Sequence, residues 1–466
     1  MIDLSFSEIA AAVGGEMLRI PDAHANVPAA SVHTDSRQVV PGDIFFALPG
    51  AVTDGHLFAE AAVQNGATLL VVERELDLDV AQVLVANGVV ALSDLAREVV
   101  ARVRAAGRLQ VAAVTGSNGK TTTKNMLLAI LGAEGPTVAP LGSFNNEVGA
   151  PISMLRVVPD TRFMVVEMGA DAVGDVAKLV SVADPDVGIV LTVGLAHVGK
   201  FGSQSEIARA KSEMVSGLRP DAFAVLNADD PRVSAMASLT QATVRTFGLD
   251  VADVRAVGIE ATAAGTSFTV EADGESIPVH LRILGEHHVT NALAAITAAR
   301  ALGVPLARAV TALETMVRAE RWRMEVLERP DGVTVINDAY NASPDSMAAA
   351  LKTLAQVTRG GRRSVAVLGE MAELGDYADE EHDRIGRLAV RLNVEQLIVV
   401  GHRARHIHNA AGLEGSWDGE SVLVDDADEA YDLVRDTVQP GDIVLVKSSG
   451  SAGLRFLGDR IAGISA

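Results

Sequence analysis

Short, unbroken apolar runs recur along the chain, separated by stretches with helical spacing. Val111–Val114, Phe163–Val166, Val187–Leu191 and Ala222–Leu226 carry no alternating polar positions. Runs of that kind suit parallel strands covered on both faces. Before them, 5–15 has helical spacing, with Ser5 or Ser7 as cap and Gly14-Gly15 as stop. Ile44–Leu48 and Thr68–Val72 predict strands; 59–65 and 92–104 predict helices. Residues 242–284 look different: polar and apolar positions alternate, and Ala264-Gly265 and Asp273-Gly274 mark turns. That pattern predicts an antiparallel insertion, closed by a helix at Asn291–Leu302. From about residue 320 the strand–helix alternation restarts. Strands are expected at Val333–Ile336, Ser364–Leu368, Gln396–Val400, Ser421–Val424 and Asp442–Val446. The class is therefore α/β, ending in a doubly wound, Rossmann-like sheet. At ~150 residues per domain, a chain of 466 residues is expected to hold three, divided as 1–85, 86–319 and 320–466.

Composition narrows the function. The net charge is −21, and an acidic excess of that size argues against a nucleic-acid partner. There is no cysteine, so disulfides, thiolate catalysis and cysteine zinc sites are excluded. The N-terminal residues lack a basic segment followed by an apolar one, and no run of ~18 uncharged apolar residues occurs. A cytoplasmic protein without membrane insertion is the expectation.

One segment carries a clear chemical signal. The strand Val111–Val114 stops at a turn containing Gly116 and Gly119; Lys120 and Thr121 follow, and Met126–Leu131 opens a helical pattern. Strand, glycine loop, lysine and helix make a phosphate cradle, in which backbone N–H groups and the helix N-terminus face the anion. Thr121 supplies a hydroxyl for Mg²⁺. The spacing departs from GxxxxGK[ST], because Val114 stands where the first glycine would be.

Other polar residues sit where predicted strands end. Glu167 follows Phe163–Val166, and ligands of open α/β sheets bind at that end. A carboxylate there suits Mg²⁺, or is a surface glutamate. His197 follows Val187–Leu191; Lys211 lies in a helical stretch and alone reads as a solvated charge. Asp338 closes a strand of the last domain, although Asp and Asn are also common turn residues. Arg323 lies near the domain junction, where it suits a phosphate or a carboxylate across the interface. Asn291 reads as a helix N-cap, and His287-His288 as half a metal site, weakened because neighbours on an extended segment face opposite ways.

Together these segments resemble the Mur ligase family, ATP-dependent amide ligases of peptidoglycan precursor synthesis. Thr115–Thr122 is similar to the family's TG[TS]NGKT loop, and Glu167, Ala196-His197 with Phe201–Ser203, Lys211, Asn291, Arg323 and Asp338 follow in the family's order. Asp35–Arg37 with Pro41–Asp43, Asn145–Pro151, Asn337–Asn341 and Leu368–Gly375 resemble the branch that uses UDP-N-acetylmuramoyl-tripeptide and D-alanyl-D-alanine. The resemblance implies ATP at Thr115, Gly116, Ser117, Asn118, Gly119, Lys120, Thr121, Thr122, Asn291, Arg323 and Asp338. It implies two Mg²⁺ ions, held by Thr121, Glu167, His197 and a carbamylated Lys211, with Lys120, His197 and Lys211 as the catalytic group. Substrate contacts fall on Ser31, Ser36 and Arg37 in a small UDP-binding first domain, and on Asn145, Asn146, Tyr340 and Asn341. The centre would be a P-loop ATPase-like sheet, the last domain would hold the amine substrate, and the chain would act as a monomer. Two departures stand out: Lys447-Ser-Ser-Gly450 where relatives read Lys-Gly-Ser-Arg, and Gly285-Glu-His-His288 where they read Gly-Arg-His-Asn. The alternatives are a ligase of the same family with another amino-acid substrate, of third-residue or folylpolyglutamate type, and a catalytically inactive homologue acting as a binding protein.

Overall fold

The computed structural model describes residues 1–19, 26–27, 31–50, 52–262, 264–318, 320–414 and 417–464. Three larger sheets follow one another along the chain. The first has five strands in the order Glu16–Leu18, Ala81–Leu84, Leu69–Val72, Ile44–Phe46, Val32–His33. All its pairings are parallel except that of the edge strand Glu16–Leu18. The helix expected at 5–15 is Phe6–Ala12, and Ser5 is its cap, in a capping box with Glu8.

The central sheet has nine strands. Gln110–Thr115 is the third strand from one edge, between Phe163–Glu167 and Val187–Val190, and pairs parallel with both. The chain moves outward from Gln110–Thr115 in both directions, so its carboxyl end is the switch point where α/β sheets bind ligands. The continuous apolar runs are buried on both faces, as their pattern predicts. The expectation for 242–284 needs correction in part. Thr243–Gly248 pairs parallel with Phe223–Asn227 and belongs to the main sheet. Only Val254–Thr262, Gly265–Ala272 and Glu275–Leu281 form an antiparallel meander, and it extends the same sheet.

Helix starts differ most from expectation. The loop helix begins at Lys120, six positions before Met126. The helix expected from Leu92 starts at Gly88 behind an Asn87 cap. The helix expected from Asn291 starts at His287, which puts Asn291 inside it rather than at its cap. The two histidines therefore share a helical turn, with ring centroids 4.1 Å apart, instead of facing opposite ways on an extended segment. A further helix, Leu306–Glu314, was not expected.

The last sheet runs Glu325–Glu328, Thr334–Asn337, Ile443–Lys447, Ser364–Leu368, Gln396–Val400, Glu420–Val424. It is parallel except at Glu325–Glu328, an edge strand the pattern does not reveal. Among the described residues no helix is long and apolar enough to cross a membrane.

Candidate active site

The carboxyl ends of the central strands and the near edge of the last sheet enclose a cleft of about 900 Å³. The phosphate loop forms its floor. Gly119 has φ +84°, and a Cβ there would run into the side-chain oxygen of Asn291, so this position requires glycine. Lys120 is the first helical residue, and its Nζ donates to the Gly116 carbonyl at 2.7 Å. Burial pulls the Lys120 pKa below that of an ordinary lysine; Glu167 opposes the shift and Arg323 adds to it. Thr115 is buried, its Oγ1 bound to the Met168 carbonyl at 2.8 Å; Ser117 Oγ accepts from Gly194 N at 2.9 Å. Thr122 is buried and lines the cleft.

Glu167 is 1% exposed, and its Oε1 accepts from Asn145 Nδ2 at 2.8 Å and from Thr121 Oγ1 at 3.2 Å. Its Oε2 is buried without a hydrogen-bond partner. A bare carboxylate oxygen beside a hydroxyl, at the phosphate end of a sheet, is a hard donor set open on one side, and it fits Mg²⁺. Among the described residues no group of three or more His, Asp or Glu side chains is gathered as a cage. Any ion here would complete its shell with phosphate, water or a modified side chain.

Lys211 is 3% exposed on the helix Gln204–Ser216 and lines the same cleft. Burial and then the Lys120 charge lower its pKa to about 7, against the pull of Asp171, Asp175 and Glu213. The single-residue reading of a solvated charge is thereby overturned: this amine is dry and partly neutral at neutral pH. His197, at φ +64°, faces the cleft with its Nδ1 against the Glu373 carboxylate. Its burial, with the Lys120 charge, holds its pKa low.

The last sheet supplies the opposite wall. Arg323 stacks over Tyr340 at 4.2 Å and donates to Ser143 Oγ at 3.1 Å; that hydroxyl also lies 3.2 Å from Thr121 Oγ1. Asp338 accepts from Lys447 Nζ at 2.6 Å, and the same Nζ reaches the Asn341 carbonyl at 3.0 Å. Ser343 Oγ donates to Asn118 Oδ1 at 2.9 Å, tying the phosphate loop to the last sheet's first helix. Asn146 lines the cleft, and its Oδ1 accepts from Gly149 N, the first residue of the following helix, at 2.8 Å. Asn291 is buried beside His288, Nδ2 to Nδ1 at 3.3 Å.

The cleft thus gathers the expected metal residues and the expected nucleotide residues except Thr115, which is fully buried against the Met168 carbonyl, together with Asn145, Asn146, Tyr340 and Asn341. It does not include Ser31, Ser36 or Arg37, which lie in the first sheet's loops. There Ser31 N donates to Asp43 at 3.0 Å and the exposed Arg37 pairs with Asp35 at 2.7 Å. Sequence reasoning missed Ser143, Lys124, Glu373 and the tie through Lys447. Lys124 is 1% exposed, with Nζ bound to the carbonyls of Pro140 and Gly142 at 3.0 and 2.9 Å. Its only sequence signal is a place one turn after Lys120, on the same helical face.

Family models match in chain order. The Mur ligase family catalytic domain matches 29–114, the Mur ligase middle domain 114–299, and the glutamate ligase domain of Mur ligases 322–450. The UDP-N-acetylmuramoyl-tripeptide–D-alanyl-D-alanine ligase of Mycobacterium tuberculosis is 42% identical, over 99% of this chain and 98% of its own. The Escherichia coli ligase of the same name is 33% identical over 91% and 92%. Among solved structures, MurF from Acinetobacter baumannii superposes with TM-score 0.90 at 30% identity, covering 99% of both chains. MurF from Thermotoga maritima, solved with ADP, gives 0.81 at 29% identity, covering 93% of this chain and 97% of its own. Likeness on that scale spans every segment that walls the cleft, and the chain belongs to the Mur ligase family.

Proposed function

We propose that the chain is an ATP-dependent ligase that joins D-alanyl-D-alanine to UDP-N-acetylmuramoyl-tripeptide in the cytoplasm, as a monomer. The observation that carries this reading is the single cleft in which the phosphate loop faces Asp338, Tyr340, Asn341 and Lys447 across the junction of two sheets. The end-to-end similarity to ligases of that name supports the choice of substrates. In this reading 1–85 holds the UDP end through Ser31, Ser36 and Arg37, 86–319 holds ATP, and 320–466 holds the dipeptide.

The reaction follows from the charges. A carboxylate oxygen of the tripeptide attacks the γ-phosphorus, the bond to the β-phosphate oxygen breaks, and ADP leaves. The dipeptide amine then attacks the acyl carbon, loses a proton and expels inorganic phosphate. The first step drives an anion onto a polyanion, so fixed positive charge must meet it. Lys120 and the loop N–H groups supply that charge at the phosphates, and Arg323 reaches the same region from the other wall. Thr121 and Glu167 would hold one Mg²⁺, and His197 with a carbamylated Lys211 would hold a second. When bound, the ions neutralise phosphate charge. A partly neutral Lys211 suits carbamylation, because only the free amine adds CO₂. The apposed walls exclude water from an acyl phosphate that would otherwise hydrolyse.

The test is phosphate release with ATP, Mg²⁺ and the UDP-tripeptide, supplied in parallel with D-alanyl-D-alanine, D-glutamate, meso-diaminopimelate or L-lysine. Turnover with the dipeptide alone is expected. Turnover with a single amino acid and not the dipeptide would overturn the substrate assignment, and no turnover with any would favour a binding protein.

A further inference from the structure

Two non-glycine residues with left-handed backbones meet side chain to side chain across the junction of the central and last sheets. His197 has φ +64° and Glu373 has φ +63°. Such conformations are strained for a residue that carries a Cβ and persist where the surroundings hold them. Here the surroundings do so. The Glu373 carbonyl accepts from Gly199 N at 2.9 Å. A Cβ on Gly199 would lie 2.7 Å from Gly375 N and 2.8 Å from the Glu373 carbonyl, so only glycine permits this approach. Glu373 Oε1 accepts from Lys200 Nζ at 2.9 Å, and Lys200 also binds Asp171 at 2.9 Å. Glu373 Oε2 takes the Nδ1 side of His197, with Asp171 Oδ1 behind at 3.9 Å.

The direction of that contact matters. A carboxylate only accepts, so Nδ1 carries the hydrogen and a neutral ring leaves Nε2 as a bare lone pair. His197 lines the cleft while Glu373 stands behind it. We propose that Glu373 is a positioning residue, supplied by the last sheet, that fixes the His197 ring with Nε2 presented to the cleft and so completes the central sheet's site only while the two sheets are apposed. The proposal rests on the reading of His197 given above. Imidazole ligands are commonly oriented by a carboxylate on the other ring nitrogen. What is particular here is that this carboxylate comes from a segment 176 residues away, in another sheet.

The experiment uses the full chain with ¹⁵N-labelled histidine. Two-bond ¹H–¹⁵N correlation reads the tautomer of each ring without turnover, and a His197→Gln spectrum assigns the His197 signals. The wild type is expected to show His197 as the Nδ1–H tautomer. Glu373→Ala should lose that preference, and Glu373→Gln, whose side-chain oxygen still accepts, should keep it. In the ligation assay Glu373→Ala should lower activity by about 10–100-fold and raise the Mg²⁺ concentration needed for half-activity, with partial recovery in Glu373→Gln. Lys200→Met removes an ion pair of the same cluster and should leave the tautomer unchanged. A wild-type His197 in the Nε2–H form would overturn the proposal. So would a Glu373→Ala chain with an unaltered tautomer, or one with unaltered Mg²⁺ dependence. Failure of the wild type to ligate would instead sink the proposed function, and the tautomer spectra would still decide the role of Glu373.

Discussion

At the scale of single residues, the cleft sorts its lysines by what surrounds them. Lys120 Nζ donates to a carbonyl of its own loop and lines the cleft, so its charge can meet phosphate there. Lys120→Ala is expected to lose about 10²–10³ in kcat with an unchanged thermal midpoint, measured by phosphate release and by calorimetry. Lys211 should behave differently. Lys211→Ala is expected to be nearly inactive and partly restored by a short carboxylate in the buffer. The wild type should lose activity when CO₂ and bicarbonate are stripped, and regain it on their return. His287 and His288 give a third test. Burial pushes the His287 pKa down to about 4 and that of His288 well below the usual value. The unfolded chain takes up protons near 6.5 while the folded one stays neutral, so stability falls as pH drops from about 6.5 toward 4, by about 1.4 kcal/mol per pH unit for each histidine. Urea midpoints at pH 7 and 5 should show this loss, and a His287→Asn, His288→Asn chain should flatten it.

At the scale of elements, the turn at 321–324 decides where Arg323 points. Trp322 and Met324 both have positive φ, +58° and +50°, and flank the arginine. Asp459, 5% exposed on the last helix, holds the turn: its Oδ2 accepts from Arg321 Nη2 and Trp322 Nε1, each at 2.9 Å. Asp459→Ala should cost about 1.5–3 kcal/mol of stability and raise the KM for ATP, because the turn relaxes and Arg323 leaves Ser143. Urea unfolding and initial rates against ATP check both. The legibility of the elements has a physical basis. Strands such as Val187–Val190 were readable because burial on both faces demands an unbroken apolar run. The first turn of the loop helix was not, because Thr121, Thr122 and Thr123 are consecutive buried polar residues and give no apolar period. Glu325–Glu328, with charged ends at a sheet edge, carries no strand signal either. The phosphate loop and Glu167 were legible from position at strand ends. Ser143 and Glu373 were not, since only tertiary contacts bring Ser143 to the cleft and Glu373 to the back of the His197 ring.

At the scale of the molecule, the first sheet's candidates stand apart from the cleft, so the two should respond independently. Arg37→Ala is expected to raise the KM for the UDP-tripeptide several-fold and leave the affinity for a non-hydrolysable ATP analogue unchanged, by initial rates and calorimetric titration. Each large sheet also takes its strands from one unbroken stretch of chain: the first ends at Leu84, the second runs from Gln110 to Leu281, and the third opens at Glu325. That ordering has a consequence in time. During synthesis at roughly 5–20 residues per second, the ribosome releases a complete second sheet before the third exists, and needs about 8–33 s more to deliver the remaining stretch. Over that interval the nascent protein carries a finished phosphate loop with no opposite wall. Its ability to grip a nucleotide would precede, by those seconds, its ability to shelter an acyl phosphate.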